Sequence, residues 1–230
     1  MPDRQAVLAA ALHALEQRLA QACRAAGRRR EDVVLVAVSK TYPAADVEAL
    51  RELGIRDFGE NRDQEARRKA GVVDGVRWHF VGGLQTNKAR SVASYADVVH
   101  SLDRPALVQA LSAGAQRAGR ELDVLLQVSL DGDVTRGGAP SEQVPALAAQ
   151  TAAAPGLRLA GVMAVAPRGA DPAVAFADLA RVSAALRRAH PQASSISAGM
   201  TGDLEHAVAA GATHVRVGSA LLGRRPPTSR

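Results

Sequence analysis

Lysine is scarce in this chain, and the scarcity singles out one residue. Lysine and arginine together number 29, and only Lys40, Lys69 and Lys88 are lysines. A guanidinium keeps its proton in a protein and offers no amine nucleophile, whereas a lysine amine condenses with aldehydes. Lys40 ends the apolar run Val33-Val34-Leu35-Val36-Ala37-Val38-Ser39, which reads as a buried strand. An amine at the mouth of such a strand is well placed for Schiff-base chemistry. A strand-end lysine reaching solvent fits the same position, and position alone leaves both readings open.

A second group of residues suits an anion. Ser197-Ala198-Gly199-Met200-Thr201 is a glycine-containing turn leading to a helix, and Gly218-Ser219 opens the short segment Ser219-Ala220-Leu221-Leu222. Backbone N–H groups at two helix starts, with hydroxyls nearby, make a phosphate cradle. Two ordinary turns would read the same way. Arg216, on a short apolar strand, needs an anion or another acceptor. Tyr42 suits either a ligand contact or turn packing, and His79 either a site role or a satisfied core position. Glu60 and Asp103 sit on separate strands, so their spacing argues for no paired-carboxylate hydrolase. His190, His206 and His214 share no metal-ligand spacing, and no metal site is expected.

These residues need a scaffold that brings strand ends together. Strands are expected at 33–39, 55–59, 76–81, 97–101, 122–129, 157–164, 194–197 and 213–217. Helices are expected at 5–27, 44–53, 62–72, 86–94, 104–118, 141–153, 172–189 and 202–210. Strands alternating with helices imply parallel βαβ units, and near-continuous apolar strands imply a sheet covered on both faces. Eight units fit an α/β fold, a (β/α)8 barrel with an additional N-terminal helix. A doubly wound open sheet is the rival, weakened because Ser39-Lys40-Thr41-Tyr42-Pro43 stands where a glycine-rich dinucleotide fingerprint would. The expected layout is a single domain over 1–223 and a frayed tail over 224–230, with 161–173 as a rim or lid.

Composition narrows the partners. The net charge of +6 is spread among helices and termini, which favours an anionic small molecule over nucleic acid. The densest clusters, Arg28-Arg29-Arg30 and Arg67-Arg68-Lys69, read as solvated faces. One cysteine, Cys23, continues the apolar stripe of the first helix and reads as a packing residue. No segment is apolar for the ~20 residues of a membrane span, and no cleavable leader is evident, so a cytoplasmic location is expected.

Four blocks together resemble the pyridoxal 5′-phosphate (PLP) homeostasis proteins, single-domain relatives of the alanine racemase N-terminal barrel. They are Val38-Ser39-Lys40-Thr41; Phe58-Gly59-Glu60-Asn61 with Gln64-Glu65; Trp78-His79-Phe80-Val81-Gly82 with Leu84-Gln85-Thr86-Asn87-Lys88; and Gly199-Met200-Thr201 with Val215-Arg216-Val217-Gly218. The resemblance implies PLP held as a Schiff base on Lys40. It implies a phosphate held by the loops Ser197–Thr201 and Arg216–Ser219. The implied cofactor contacts are Lys40, Asn61 and Met163, then Ser197, Gly199, Met200 and Thr201, then Arg216, Gly218 and Ser219. It further implies a largely monomeric protein that buffers or delivers PLP to apo-enzymes, with no established catalytic turnover. The chain departs from the family's usual pattern at Arg62, Gly83, Arg136, Ala198 and Thr201. Arg136 keeps charge but not amine chemistry. Two alternatives are a small PLP-dependent racemase and a PLP-independent barrel using Lys40 for aldolase-type chemistry.

Overall fold

A strand forms in each of the eight expected stretches, and valine and leucine dominate those at 34–38 and 122–127. The computed structural model describes residues 3–223. The strands are β1 Val34–Val38, β2 Asp57–Glu60, β3 Arg77–Phe80, β4 Val98–Leu102, β5 Leu122–Gln127, β6 Leu157–Met163, β7 Ser195–Ser197 and β8 His214–Val217. They pair in parallel and close into a barrel in sequence order. Val36 of β1 lies opposite Asp57 of β2 on one side and Arg216 of β8 on the other. That closure rules out the open sheet. The tail 224–230 lies outside the described residues.

The helices are α1 Arg4–Ala25, α2 Ala44–Glu52, α3 Asp63–Ala70, α4 Ala89–Ala93, α5 Pro105–Ala118, α6 Val144–Ala152, α7 Pro172–Ala189, α8 Leu204–Ala209 and α9 Ser219–Leu222. The first turns of three expected helices are not α-helical. Thr86–Lys88 and Ser141–Gln143 wind as 3₁₀ turns ahead of α4 and α6. A turn at 201–203 precedes α8, where the Asp203 carboxylate accepts from the Met200 N–H at 2.6 Å. Helix starts carry N–H groups with no intrahelical partner, and tighter turns or side chains satisfy them.

The extra helix α1 covers the seam where β8 meets β1, beside the short α8 and α9. Its buried stripe Leu8, Leu12, Leu15, Leu19, Ala22 and Cys23 joins one apolar cluster with Leu35, Leu204, Val215 and Leu221. Burying each leucine contributes about 1.5–3 kcal/mol. Arginines fasten the same seam. Arg18 donates to Glu205 at 2.7 Å and to the Thr201 carbonyl at 2.8 Å. Arg28 donates to the carbonyls of Val208 and Ala212, and Arg30 to Glu16. The Arg28-Arg29-Arg30 run is therefore not simply a solvated face: two of its members staple α1 to the barrel.

Barrel interiors are usually filled by branched apolar side chains. Here only one side is. Val98, Leu125 and Met163 form an apolar layer across β4, β5 and β6. The other side carries His79, His100, Ser197 and Arg216, each at most 5% exposed. Buried polar groups are costly unless hydrogen-bonded to one another, and these are.

Replacing Leu19 with alanine should cost about 2–5 kcal/mol, because the site under α1 cannot collapse around the lost side chain. Urea denaturation should show a lower midpoint at an unchanged slope.

Candidate functional site

Lys40 follows β1 in a turn with strained backbone. Thr41 has φ of 72°, the one positive φ outside glycine among the described residues. A β-branched residue there costs about 1–3 kcal/mol. Its N–H donates to Glu65 Oε1 at 2.6 Å. A hydrogen bond to a charged acceptor contributes about 1.5–3 kcal/mol, enough to offset the strain.

Glu65 is itself held by Lys69 beneath the turn. Lys69 Nζ donates to Glu60 Oε1 at 2.6 Å, to Glu65 Oε1 at 2.8 Å and to the Ser39 carbonyl at 2.8 Å. Ser39 Oγ also donates to Glu60 Oε1, at 2.7 Å. The Lys69 side chain is 6% exposed and that of Glu60 1%. An ammonium has three protons, and all three are engaged, so Lys69 is a structural cation rather than a nucleophile. Burial pushes the Glu60 carboxyl upward while Lys69 pulls it down. This corrects the reading of Arg67-Arg68-Lys69 as a solvated face: Arg67 and Arg68 are exposed, Lys69 is not. The Glu65–Lys69 spacing of four residues on α3 is the signal that identifies the pair.

The carboxyl ends of β1, β2, β3, β6, β7 and β8 surround a cavity of about 450 Å³. It is lined by seven of the residues named above, Lys40, Asn61, Met200, Thr201, Arg216, Gly218 and Ser219, and also by Val38, Tyr42, Val81, Gly82, Val165, Gly202 and Gly223. The Tyr42 hydroxyl donates to the Gly223 carbonyl at 2.8 Å, so the ring is a fixed wall. Val165 brings the 161–173 segment to the rim.

Three expected contacts lie elsewhere. Met163 belongs to the apolar interior layer with Val98 and Leu125 and does not line the cavity. Ser197 is fully buried, its hydroxyl between His100 Nδ1 at 2.9 Å and Arg216 Nη1 at 2.5 Å. Gly199 supports the wall from behind. It has φ of 89°, and a Cβ there would lie 2.6 Å from Ala207 Cβ. These positions are inward or backward on their strands, and strand-end location alone does not distinguish them from cavity-facing ones. His79 resolves as a fully satisfied core histidine, its two nitrogens paired with Asp57 and His100.

The cavity's polar groups suit an anionic, hydrogen-bonding ligand. Arg216 is 5% exposed, donates to Ser197 Oγ and to the Ala164 carbonyl at 3.0 Å, and has no carboxylate ion pair among the described residues. Burial draws its pKa down to about 10, which still leaves it charged at neutral pH. Thr201 Oγ1 and Ser219 Oγ lie 3.2 Å apart at the cavity's other polar wall. Asn61 Oδ1 is buried without a protein partner. A Cβ on Gly82 would lie 2.4 Å from the Asn61 carbonyl, so glycine there is required by the close approach of the two loops.

Comparisons place this geometry in a family. The model of the alanine racemase N-terminal domain matches residues 11–226. A pyridoxal phosphate homeostasis protein of Mycobacterium tuberculosis is 42% identical over 245 residues, covering 97% of this chain and 95% of the relative. The protein of the same name in Pseudomonas aeruginosa is 42% identical, covering 90% and 91% of the two chains. Among solved structures, PipY of Synechococcus elongatus with PLP bound superimposes with a TM-score of 0.82 at 34% identity, over 94% of this chain and 100% of PipY. The chain belongs to the pyridoxal phosphate homeostasis protein family, within the alanine racemase N-terminal-domain barrels.

Removing the central cation should be severe. Lys69→Met should cost about 3–5 kcal/mol, since it strands the buried Glu60 carboxylate and the half-buried Glu65 beside it. The double variant Glu60→Gln/Lys69→Met should recover a large part of that in urea titrations.

Acid should also weaken the fold. Burial holds His79 below and His100 well below the ordinary histidine range, and burial followed by the charge of His79 brings His214 down to about 4. The unfolded chain takes up those protons near pH ~6.5 and the folded chain resists. This stabilisation is therefore complete above about pH 6.5 and drains as pH falls toward 4. Thermal melts across that interval should show Tm falling steadily.

Proposed function

We propose that the chain binds PLP reversibly through Lys40 and serves PLP homeostasis, buffering or delivering the cofactor without catalytic turnover. The observation that carries this reading is one cavity holding the Lys40 amine, a buried guanidinium without a carboxylate partner and a paired Thr201–Ser219 hydroxyl wall. Its volume lies within the about 300–1,000 Å³ usual for small-molecule sites. The names of the Mycobacterium and Pseudomonas relatives and the PLP in PipY point the same way.

The residues present fit the cofactor. PLP supplies an aldehyde that condenses with a primary amine, releasing water. Lys40 provides that amine, because Lys69 is locked in its buried network and Lys88 is exposed and does not line the cavity. Thr201 and Ser219 offer hydroxyls, and Gly218 backbone, to the phosphate. Arg216 provides the positive floor of the cavity and Asn61 an unsatisfied amide toward the ring. Tyr42, Val38 and Val165 supply apolar wall.

Both tyrosines bear on the racemase alternative. Tyr95 is not among the cavity residues, and Tyr42 commits its hydroxyl to Gly223. A second acid–base group opposite Lys40 is not supplied by either. A monomeric, cytoplasmic protein that hands PLP to apo-enzymes completes the proposal. No helix among the described residues is long and apolar enough to cross a membrane.

Borohydride reduction of the PLP-loaded protein and peptide mapping should place the phosphopyridoxyl group on Lys40. Lys40→Ala should abolish the imine absorbance, and pyridoxal should bind far more weakly than PLP. An adduct confined to Lys69 or Lys88, or equal affinity for the two compounds, refutes the assignment. A hydroxylamine trap should withdraw PLP while circular dichroism stays unchanged. Saturable exchange of amino-acid α-protons into deuterated water would instead establish an enzyme.

A further inference from the structure

We infer that Asp57, at the amino end of the barrel, is a positioning residue for Arg216 at the cavity floor, acting through a one-directional hydrogen-bond chain. The links are short and buried. Arg216 Nη1 lies 2.5 Å from Ser197 Oγ, Ser197 Oγ 2.9 Å from His100 Nδ1, His100 Nε2 2.8 Å from His79 Nδ1, and His79 Nε2 2.9 Å from Asp57 Oδ1. Five residues from β8, β7, β4, β3 and β2 thus cross the barrel interior in one line.

The two ends dictate the direction of every proton in it. A guanidinium only donates and a carboxylate only accepts. Arg216 therefore donates to Ser197, which passes its own hydroxyl proton to His100 Nδ1. His100 then carries its proton on Nε2 and donates to His79 Nδ1. His79 carries its proton on Nε2 and donates to Asp57. Both imidazoles are neutral and both are Nε2–H tautomers. Burial, the largest influence, opposes ionisation of Asp57, but the His79 hydrogen bond and the neighbouring His79, Arg77 and His214 together hold the carboxyl below its usual range. Aligned hydrogen bonds in a low-dielectric interior polarise one another. The Asp57 charge so reaches a guanidinium that has no carboxylate partner of its own, and it fixes the orientation of Ser197, the acceptor that aims Arg216.

A local alternative exists for Asp57. Arg77 and His214 lie near enough to affect its charge. Arg77, however, is bonded to Asp123, and the His214 Nδ1 pairs with Thr213 Oγ1 at 2.8 Å. Neither takes the place of His79 as the hydrogen-bond partner of Asp57.

The influence on ligand affinity rests on the PLP reading; the chain itself does not, and the test separates them. In ligand-free protein labelled with ¹⁵N-histidine, long-range proton–nitrogen spectra at neutral pH should show His79 and His100 both as Nε2–H tautomers. An Nδ1–H tautomer at either residue overturns the chain. Asp57→Asn keeps an acceptor for His79 but removes the charge, and in ligand-free protein it should shift the Arg216 side-chain resonances. Unshifted resonances overturn the transmission. Should Asp57→Asn fail to fold, Ser197→Ala tests the same chain from its other end: Asp57 still fixes His79 as the Nε2–H tautomer, but loss of the Ser197 donor should shift the His79 ring-nitrogen resonances through His100, and His79 resonances unchanged in that variant overturn the coupling. For PLP, Asp57→Asn and Ser197→Ala should each weaken binding by about 3- to 10-fold, and the double variant should be little worse than the weaker single. Losses that multiply refute coupling. Wild-type protein that binds no PLP would sink the functional reading while leaving the tautomer result to decide the chain.

Discussion

The Lys69 ammonium lies within 2.8 Å of three acceptors, Glu60, Glu65 and the Ser39 carbonyl, and the placement of Lys40 depends on it. Through those contacts one side chain of α3 ties the end of β1 to the end of β2. Glu65, steadied by the same ammonium, holds Thr41 in a backbone region that a β-branched residue otherwise avoids. A buried ion network of this kind seldom stabilises a fold more than apolar packing of equal volume would. Its contribution is geometric. It holds the Lys40 turn in place, and loss of Lys69 leaves the buried Glu60 carboxylate without a cation.

The barrel interior follows the same logic at the other side of the cavity. A guanidinium buried without a carboxylate beside it is expensive. The apolar layer of Val98, Leu125 and Met163 supplies packing for one side of the interior, and the line from Arg216 to Asp57 supplies hydrogen bonding for the other. The cavity floor is thereby positive and fixed before any ligand arrives. Preorganised charge of this sort spares a ligand the reorganisation that flexible surface arginines would require.

Strand and helix order were legible in the sequence because apolar runs of strand length alternate with helical stripes, and no tertiary information is needed to see that alternation. Lys40 was legible for a chemical reason, as an amine at a strand mouth in a chain that otherwise uses arginine. The inward positions were harder. Met163, Ser197 and Gly199 sit at strand ends as Asn61 and Arg216 do, yet the first packs a core layer, the second is a link between His100 and Arg216, and the third shapes a turn. Whether a side chain at a strand end faces the cavity or the barrel axis depends on register and barrel closure, which a single strand does not encode. Lys69 was obscured by its two exposed arginine neighbours, although its spacing from Glu65 marks a partner on the same helix face.

The three lysines occupy three different electrostatic settings, and the differences assign their chemistry. Lys69 is surrounded by two carboxylates and a carbonyl, which engage all three of its ammonium protons. Lys88 sits exposed and does not line the cavity. Lys40 shares its cavity with the buried Arg216 guanidinium. That guanidinium makes the cavity floor positive, beside the one lysine among the cavity residues. The same positive floor attracts an anionic phosphate ester. The cavity thus sets an amine beside a positive floor, the two features an anionic aldehyde would need.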